Sequence, residues 1–206
     1  MADLIYDNGL AGNANNFRDG MAADDFVLDT ATILSEIIWI GVYGYDADYN
    51  YFVPTDEEAL IQIYPSVNGA PGPSPLLYYW SSDVSRTPAE GMAAWDAYQW
   101  TAAIPDTELP AGTYYLSVRN SRFTNPPDWD PWDPTPWYWG MSSLSGNAYD
   151  YHGGWVQDTS YPHEFRFAIN GTIVPEPKTT LLLMLGALAI LYRTTSNKAV
   201  EGTAPR

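Results

Sequence analysis

The sequence predicts an all-β protein: an antiparallel β-sandwich, jelly-roll-like, over residues 1–173, followed by one C-terminal transmembrane helix. Three observations carry this. First, 16 Tyr, 9 Trp and 6 Phe stand beside 16 Gly and 17 Pro in 206 residues, a mix that favours strands and turns over helices. Second, short apolar runs with a period of two recur between breaks rich in Gly, Pro, Asn and Asp. Third, no helical period of useful length precedes residue 179, where a run of helix formers begins.

Taken in order, Asp3 to Tyr6 reads as a short strand stopped by Asn8-Gly9, and residues 8–20 read as a loop. Asp24 to Asp29 is a second strand, with Phe26 and Leu28 on one face. Ile33 to Tyr43 is the longest apolar stretch of the domain. It is dense in β-branched and aromatic residues, so it is expected to be a central strand. Gly44 to Thr55 is a polar turn region, and Glu58 to Tyr64 a strand. Gly69 to Pro75 is a turn by composition. Leu76 to Trp80 is a strand, Ser81 to Met92 a loop, and Ala94 to Ala103 a strand with aromatics on both faces. Pro110-Ala111-Gly112 predicts a hairpin turn into a strand whose Tyr114, Leu116 and Val118 share a face. Trp137 to Ser142 and Glu164 to Asn170 complete the set. In the latter, Phe165, Phe167 and Ile169 are expected inward, with Arg166 and Ala168 outward. That makes eight or nine strands, the pattern of a sandwich.

Charge excludes one large class of partners. Residues 1–173 hold 23 of the 25 acids against five arginines and no lysine, a net charge of −18. Such a surface repels phosphate backbones, so no nucleic acid is expected to bind. Cysteine is absent, which removes disulfides and thiolate chemistry. The start, Met1-Ala2-Asp3-Leu4-Ile5, has neither the basic region nor the apolar stretch of a signal peptide, so an export signal is expected upstream.

Residues 174–206 form a second unit. Val174-Pro175-Glu176-Pro177-Lys178 is an extended spacer, because each proline fixes its own backbone and restrains the residue before it. Thr179 to Tyr192 follows without a charge for 14 residues, then Arg193 opens a basic and polar tail, 193–206. At about 1.5 Å per residue the run spans about 21 Å of a hydrocarbon core about 30 Å thick. Lys178 and Arg193 at its flanks can snorkel to the interface. Lys and Arg outnumber acids beyond Tyr192, which orients the tail to the cytoplasm and the domain outside. Spacer, apolar run and cation resemble, in that order, the PEP-CTERM sorting signal of bacterial surface proteins. Val174, Pro175, Glu176 and Pro177 match its motif residue by residue. The resemblance implies export, transient anchoring in the inner membrane, and processing by an exosortase, a membrane enzyme with a catalytic cysteine. It implies delivery to the cell envelope or extracellular matrix.

Within the domain, Asn125 to Trp139 holds four tryptophans, five prolines and three aspartates. Five prolines exclude a central strand and stiffen the loop. Trp129, Trp132, Trp137 and Trp139 either stack on sugar faces or fold back over the core as a lid. Asp128, Asp130 and Asp133 offer hard oxygens of the kind Ca²⁺ takes, without the spacing of an EF-hand. No other cofactor is expected. His152 and His163 are the only histidines, too few for a zinc centre, and no Gly-x-Ser-x-Gly motif occurs. The domain is therefore expected to be non-catalytic, a binding or structural module that contacts exopolysaccharide. The alternative is a glycoside- or polysaccharide-active hydrolase on the same scaffold.

Overall fold

In the computed structural model the described residues are 2–8, 16–19, 21–43, 58–89, 97–120, 137–141, 146, 148–151, 153–157 and 164–175. The chain divides into two compact units, Met1–Ile173 and Val174–Arg206. Of the second, only Val174 and Pro175 are described, so Glu176, Pro177, Lys178, Arg193 and the apolar run lie outside the described residues. Among the described residues no helix is long and apolar enough to cross a membrane.

The first unit is all-β, with fourteen strands among its described residues, in two antiparallel sheets of seven. The first sheet holds β1 (Asp3–Asp7), β2 (Asn16–Asp19), β4 (Thr32–Tyr43), β8 (Val84–Pro88), β9 (Ala97–Leu109), β11 (Trp137–Met141) and β14 (Phe167–Ile173). The second holds β3 (Ala22–Leu28), β5 (Ala59–Val67), β6 (Ala70–Pro71), β7 (Leu77–Ser81), β10 (Gly112–Asn120), β12 (Tyr149–Tyr151) and β13 (Trp155–Gln157).

The apolar β4 is central, as its composition predicts. It pairs with β9 from Thr32 to Val42 along one edge. Along the other it meets β14 from Thr32 to Trp39 and β11 from Gly41 to Tyr43. In β9 the residues between Ala103 and Thr107 have no partner in β4, and Pro105 sits in that irregularity. A bulge is where a strand tolerates a proline, because no ladder hydrogen bond is needed there. A second register shift, at Asn170/Gly171, brings Gly171 against Ile33 so closely that a Cβ would collide with the Ile33 carbonyl oxygen.

Both sheets contribute to one core. Phe26, Ile61, Ile63, Leu116 and Val118 from the second sheet join Leu34, Ile37, Trp39, Trp100, Trp139 and Phe167 from the first. Trp39 stacks on Trp100 at 6.3 Å between ring centroids and 8° between planes, and Trp139 on Phe165 at 4.5 Å and 17°.

Several expectations change. Pro110-Ala111-Gly112 does not make a hairpin: β9 pairs with β4 and β8, and β10 with β3 and β5, so the turn carries the chain from one sheet to the other. The predicted loop Ser81 to Met92 contains β8, which pairs with β9 from Val84 to Pro88. The polar segment 8–20 contains β2. Arg166 and Ala168 are not outward; both are buried, like Phe167 between them. Alternation assigns two faces to a strand but does not leave one of them in water.

Candidate functional site

The second sheet has an outer face, and register identifies it. In β10 and β5 the pairs Leu116–Ile63 and Val118–Ile61 belong to the core. The intervening pairs Tyr115–Tyr64, Ser117–Gln62 and Arg119–Leu60 therefore share the opposite face, because successive side chains alternate. From β7, Tyr78 joins the Gln62 row and Trp80 the Leu60 row.

The near end of this face is closed by aromatics. Tyr64, Tyr115 and Tyr149 are buried in a cluster with Ala23, and Trp155 packs against them. Trp155 meets Tyr64 edge-on at 5.2 Å and Tyr151 at 5.3 Å. The Tyr115 and Tyr149 hydroxyls both donate to the Gly69 carbonyl, at 2.6 and 2.7 Å. That carbonyl belongs to the turn joining β5 and β6, where Asn68 and Gly69 have φ of 54° and 79°. Asn-Gly is the pair that adopts such a left-handed turn at least cost. Two phenols thus fasten the turn over the sheet's outside.

The exposed side chains lie on the edge strand β7. Tyr78 is 58 % exposed and Trp80 38 %. Between them and the aromatic cluster lie Gln62, 4 % exposed, and Ser117, 0 %. The Gln62 Oε1 and Ser117 Oγ have no hydrogen-bond partner, and neither does the Nε of the neighbouring Arg119. Burial lowers the Arg119 guanidinium below its usual range, and the Tyr64 and Tyr78 phenols beside it work in the opposite direction. Burial also pushes the Tyr64 phenol up to about 12, with Arg119 opposing and Tyr151 and Tyr78 adding to the rise. Tyr64 and Tyr78 thus lie beside one guanidinium. Exposed rings at the sheet edge beside a half-buried cation suit a ligand that has both C–H faces and polar groups.

A second polar cluster lies at the sheet junction. Asp24 is fully buried, and its Oδ2 accepts from the Phe165 amide at 2.6 Å and from Asn8 Nδ2 at 3.0 Å. Asn8 Nδ2 also donates to the Phe165 carbonyl. Burial raises the Asp24 carboxyl well above the usual carboxylate range, against the pull of the Phe165 and Asp25 amides. Its partners are backbone and amide groups, so it ties β3 to the end of β1 and the approach to β14.

Of the residues singled out from sequence, Trp139 is part of the core. It is 1 % exposed, stacked on Phe165, and its indole N–H donates to the Arg166 carbonyl at 3.3 Å. That position, in strand β11, does not present a ring to solvent. Trp137 lies in β11, opposite Tyr43. Trp129, Trp132, Asp128, Asp130 and Asp133 lie outside the described residues. Among the described residues no group of three or more His, Cys, Asp or Glu is placed to hold a metal ion. The outer-face set was not singled out from sequence. The signal present there was the aromatic alternation Tyr78, Trp80 in one strand and Tyr115, Ser117, Arg119 in another. The chain matches no family model, and no curated protein or solved structure matches it significantly.

Proposed function

We propose that this is an exported, non-catalytic β-sandwich protein of jelly-roll-like type that binds polysaccharide at the cell surface or in the extracellular matrix. The single observation that carries the binding half is the outer face of the second sheet. There exposed Tyr78 and Trp80 stand beside the buried Gln62 and Ser117, whose oxygens are unpartnered. Each stacked ring adds about 0.5–1.5 kcal/mol beyond area burial. Two such contacts give weak binding per copy, and many copies in a matrix supply avidity. The chain's repeated passage between sheets supports the jelly-roll-like reading.

Sorting is the second half of the proposal. Val174, Pro175, Glu176 and Pro177, the apolar run 179–192 and Arg193 support processing by an exosortase-type enzyme after transient anchoring by a membrane helix. Trp129 and Trp132, with Asp128, Asp130 and Asp133 and Ca²⁺ as the candidate metal, remain a proposed second contact.

The test is a glycan array on the full chain, with reducing-sugar release measured on every glycan that binds. Binding without release is expected, lost in Trp80→Ala and Tyr78→Ala at unchanged melting temperature. Release of reducing sugar would favour the hydrolase. For sorting, the chain fused to a secretory leader in an exosortase-bearing host should lose its C-terminal peptide; an intact mass with Arg206 attached overturns that half.

A further inference from the structure

We infer that the polysaccharide bound by the outer face is acidic, a carboxylate-bearing glycan of the uronate class, with Arg119 as the partner of the carboxylate. The inference rests on the glycan-binding reading above and narrows it.

The first unit has 23 acids and five arginines. With acids in such excess, an arginine kept for structure readily finds one. Arg166 has Asp7 nearby, and Arg86 lies over the Tyr98 ring at 4.7 Å. Arg119 differs. Among the described residues, the groups that act on its charge are the phenols of Tyr64 and Tyr78, with no carboxylate. Phenols are neutral at pH 7, so they orient the guanidinium without neutralising it. Its Nε is buried without a partner. The cation is thus held half-buried, on the one face that carries exposed Tyr78 and Trp80 and the unpartnered Gln62 and Ser117.

A guanidinium presents a rigid fork that matches a carboxylate with two parallel hydrogen bonds. A sugar acid supplies that carboxylate on the rim of a ring whose C–H face can lie on Trp80 or Tyr78. A neutral sugar would leave the guanidinium fork unused. A free small oxyanion would leave the aromatic rings unused.

The domain charge of −18 adds a signature. At long range it repels an anionic chain, and salt screens that repulsion over a Debye length of about 10 Å at 0.1 M. The partly desolvated contact at Arg119 is screened less. Affinity for the acidic glycan should therefore hold or rise between low and moderate salt, the reverse of a polybasic surface.

The experiment is calorimetric titration of the full chain with a galacturonic acid trimer, its methyl ester, and inorganic phosphate. The acid is expected to bind about tenfold or more tightly than the ester, a charge-assisted pair against a neutral one. Arg119→Met should remove that preference, bringing acid binding down to that of the ester. Arg119→Lys should keep part of it, since an ammonium supplies charge without the fork. Tyr78→Ala should weaken acid and ester alike. Equal binding of acid and ester by the parent overturns the inference while the glycan reading stands, as does a preference that survives Arg119→Met. Phosphate bound more tightly than the trimer overturns it in favour of a free-oxyanion site. Binding of neither trimer form nor phosphate overturns both readings. Should Arg119→Met fail to fold, the parent's acid-to-ester ratio still decides.

Discussion

The main core and the tyrosine cluster outside the second sheet are both aromatic, yet they are built differently. In the core, rings pair in both ways: Trp39 lies on Trp100 at 8° and Trp139 on Phe165 at 17°, while Phe26 meets Phe167 at 80°. On the outer face they meet edge-on: Tyr115 with Tyr149 at 87°, Tyr64 with Trp155 at 78° and Tyr151 with Trp155 at 71°. Among the buried core rings of the described residues Tyr114 alone carries a hydroxyl, which donates to the Pro110 carbonyl. The outer rings carry hydroxyls, and those of Tyr115 and Tyr149 end on Gly69. An edge-on ring buries its body while its hydroxyl still finds a partner. Tyrosine can therefore close over the back of a sheet that tryptophan and phenylalanine fill from the front.

The largest expected effect breaks the front. Trp39→Ala or Phe167→Ala empties a fully packed site and should cost about 3–5 kcal/mol by chemical denaturation. Either change should lower stability far more than any single substitution in the outer cluster.

Next comes the clasp between sheets. Asp24→Ala leaves the Phe165 amide and Asn8 Nδ2 short of an acceptor, at about 1–3 kcal/mol for each buried donor. Asp24 also sets a pH dependence. Burial raises its carboxyl above the unfolded value, and Glu164 is raised too, by burial and by Asp25. A folded pKa above the unfolded one gives stability that is complete below the unfolded value, near 4, and is lost as pH rises through the folded value. The melting temperature should therefore rise as pH falls from 7 to 5. Asp24→Asn should flatten that slope, and an unchanged slope would remove Asp24 as its source.

The outer cluster should yield smaller numbers. Tyr115→Phe and Tyr149→Phe each remove one of two hydrogen bonds to Gly69, about 0.5–1.5 kcal/mol apiece. The double change should cost more than their sum, because only then is the carbonyl left bare. Gly69→Ala meets no atom within 4 Å, so its cost is the left-handed backbone alone, about 1 kcal/mol. The smallest effect is Trp80→Ala, within about 0.5 kcal/mol in stability. A larger loss would move Trp80 from ligand platform to structural support.

Much of the fold was legible in the residues. β-Branched and aromatic density marked β4 as central, and alternation marked β10 with Tyr114, Leu116 and Val118 turned into the core. These are local signals, since a strand's period and propensity are written within it. The acidic charge and the Pro-Glu-Pro tail are equally local. The candidate site was not legible. Tryptophan density pointed to Asn125–Trp139, where Trp139 proves to be a core residue. Gln62, Tyr78, Ser117 and Arg119 become neighbours only because β10 pairs with β5 and β5 with β7 in one register. Tyr151 comes beside Tyr64 from a hairpin that follows much later in the chain. A shift of one residue in either pairing would exchange that face for the core face. The sequence by itself determined which segments are strands and which of their side chains alternate. Only the tertiary structure decided that Pro110–Gly112 crosses between sheets, that Arg166 and Ala168 are buried, and that Arg119 stands among tyrosines. Those outcomes depend on contacts between distant segments, whose register and covering are settled by packing rather than by any local pattern.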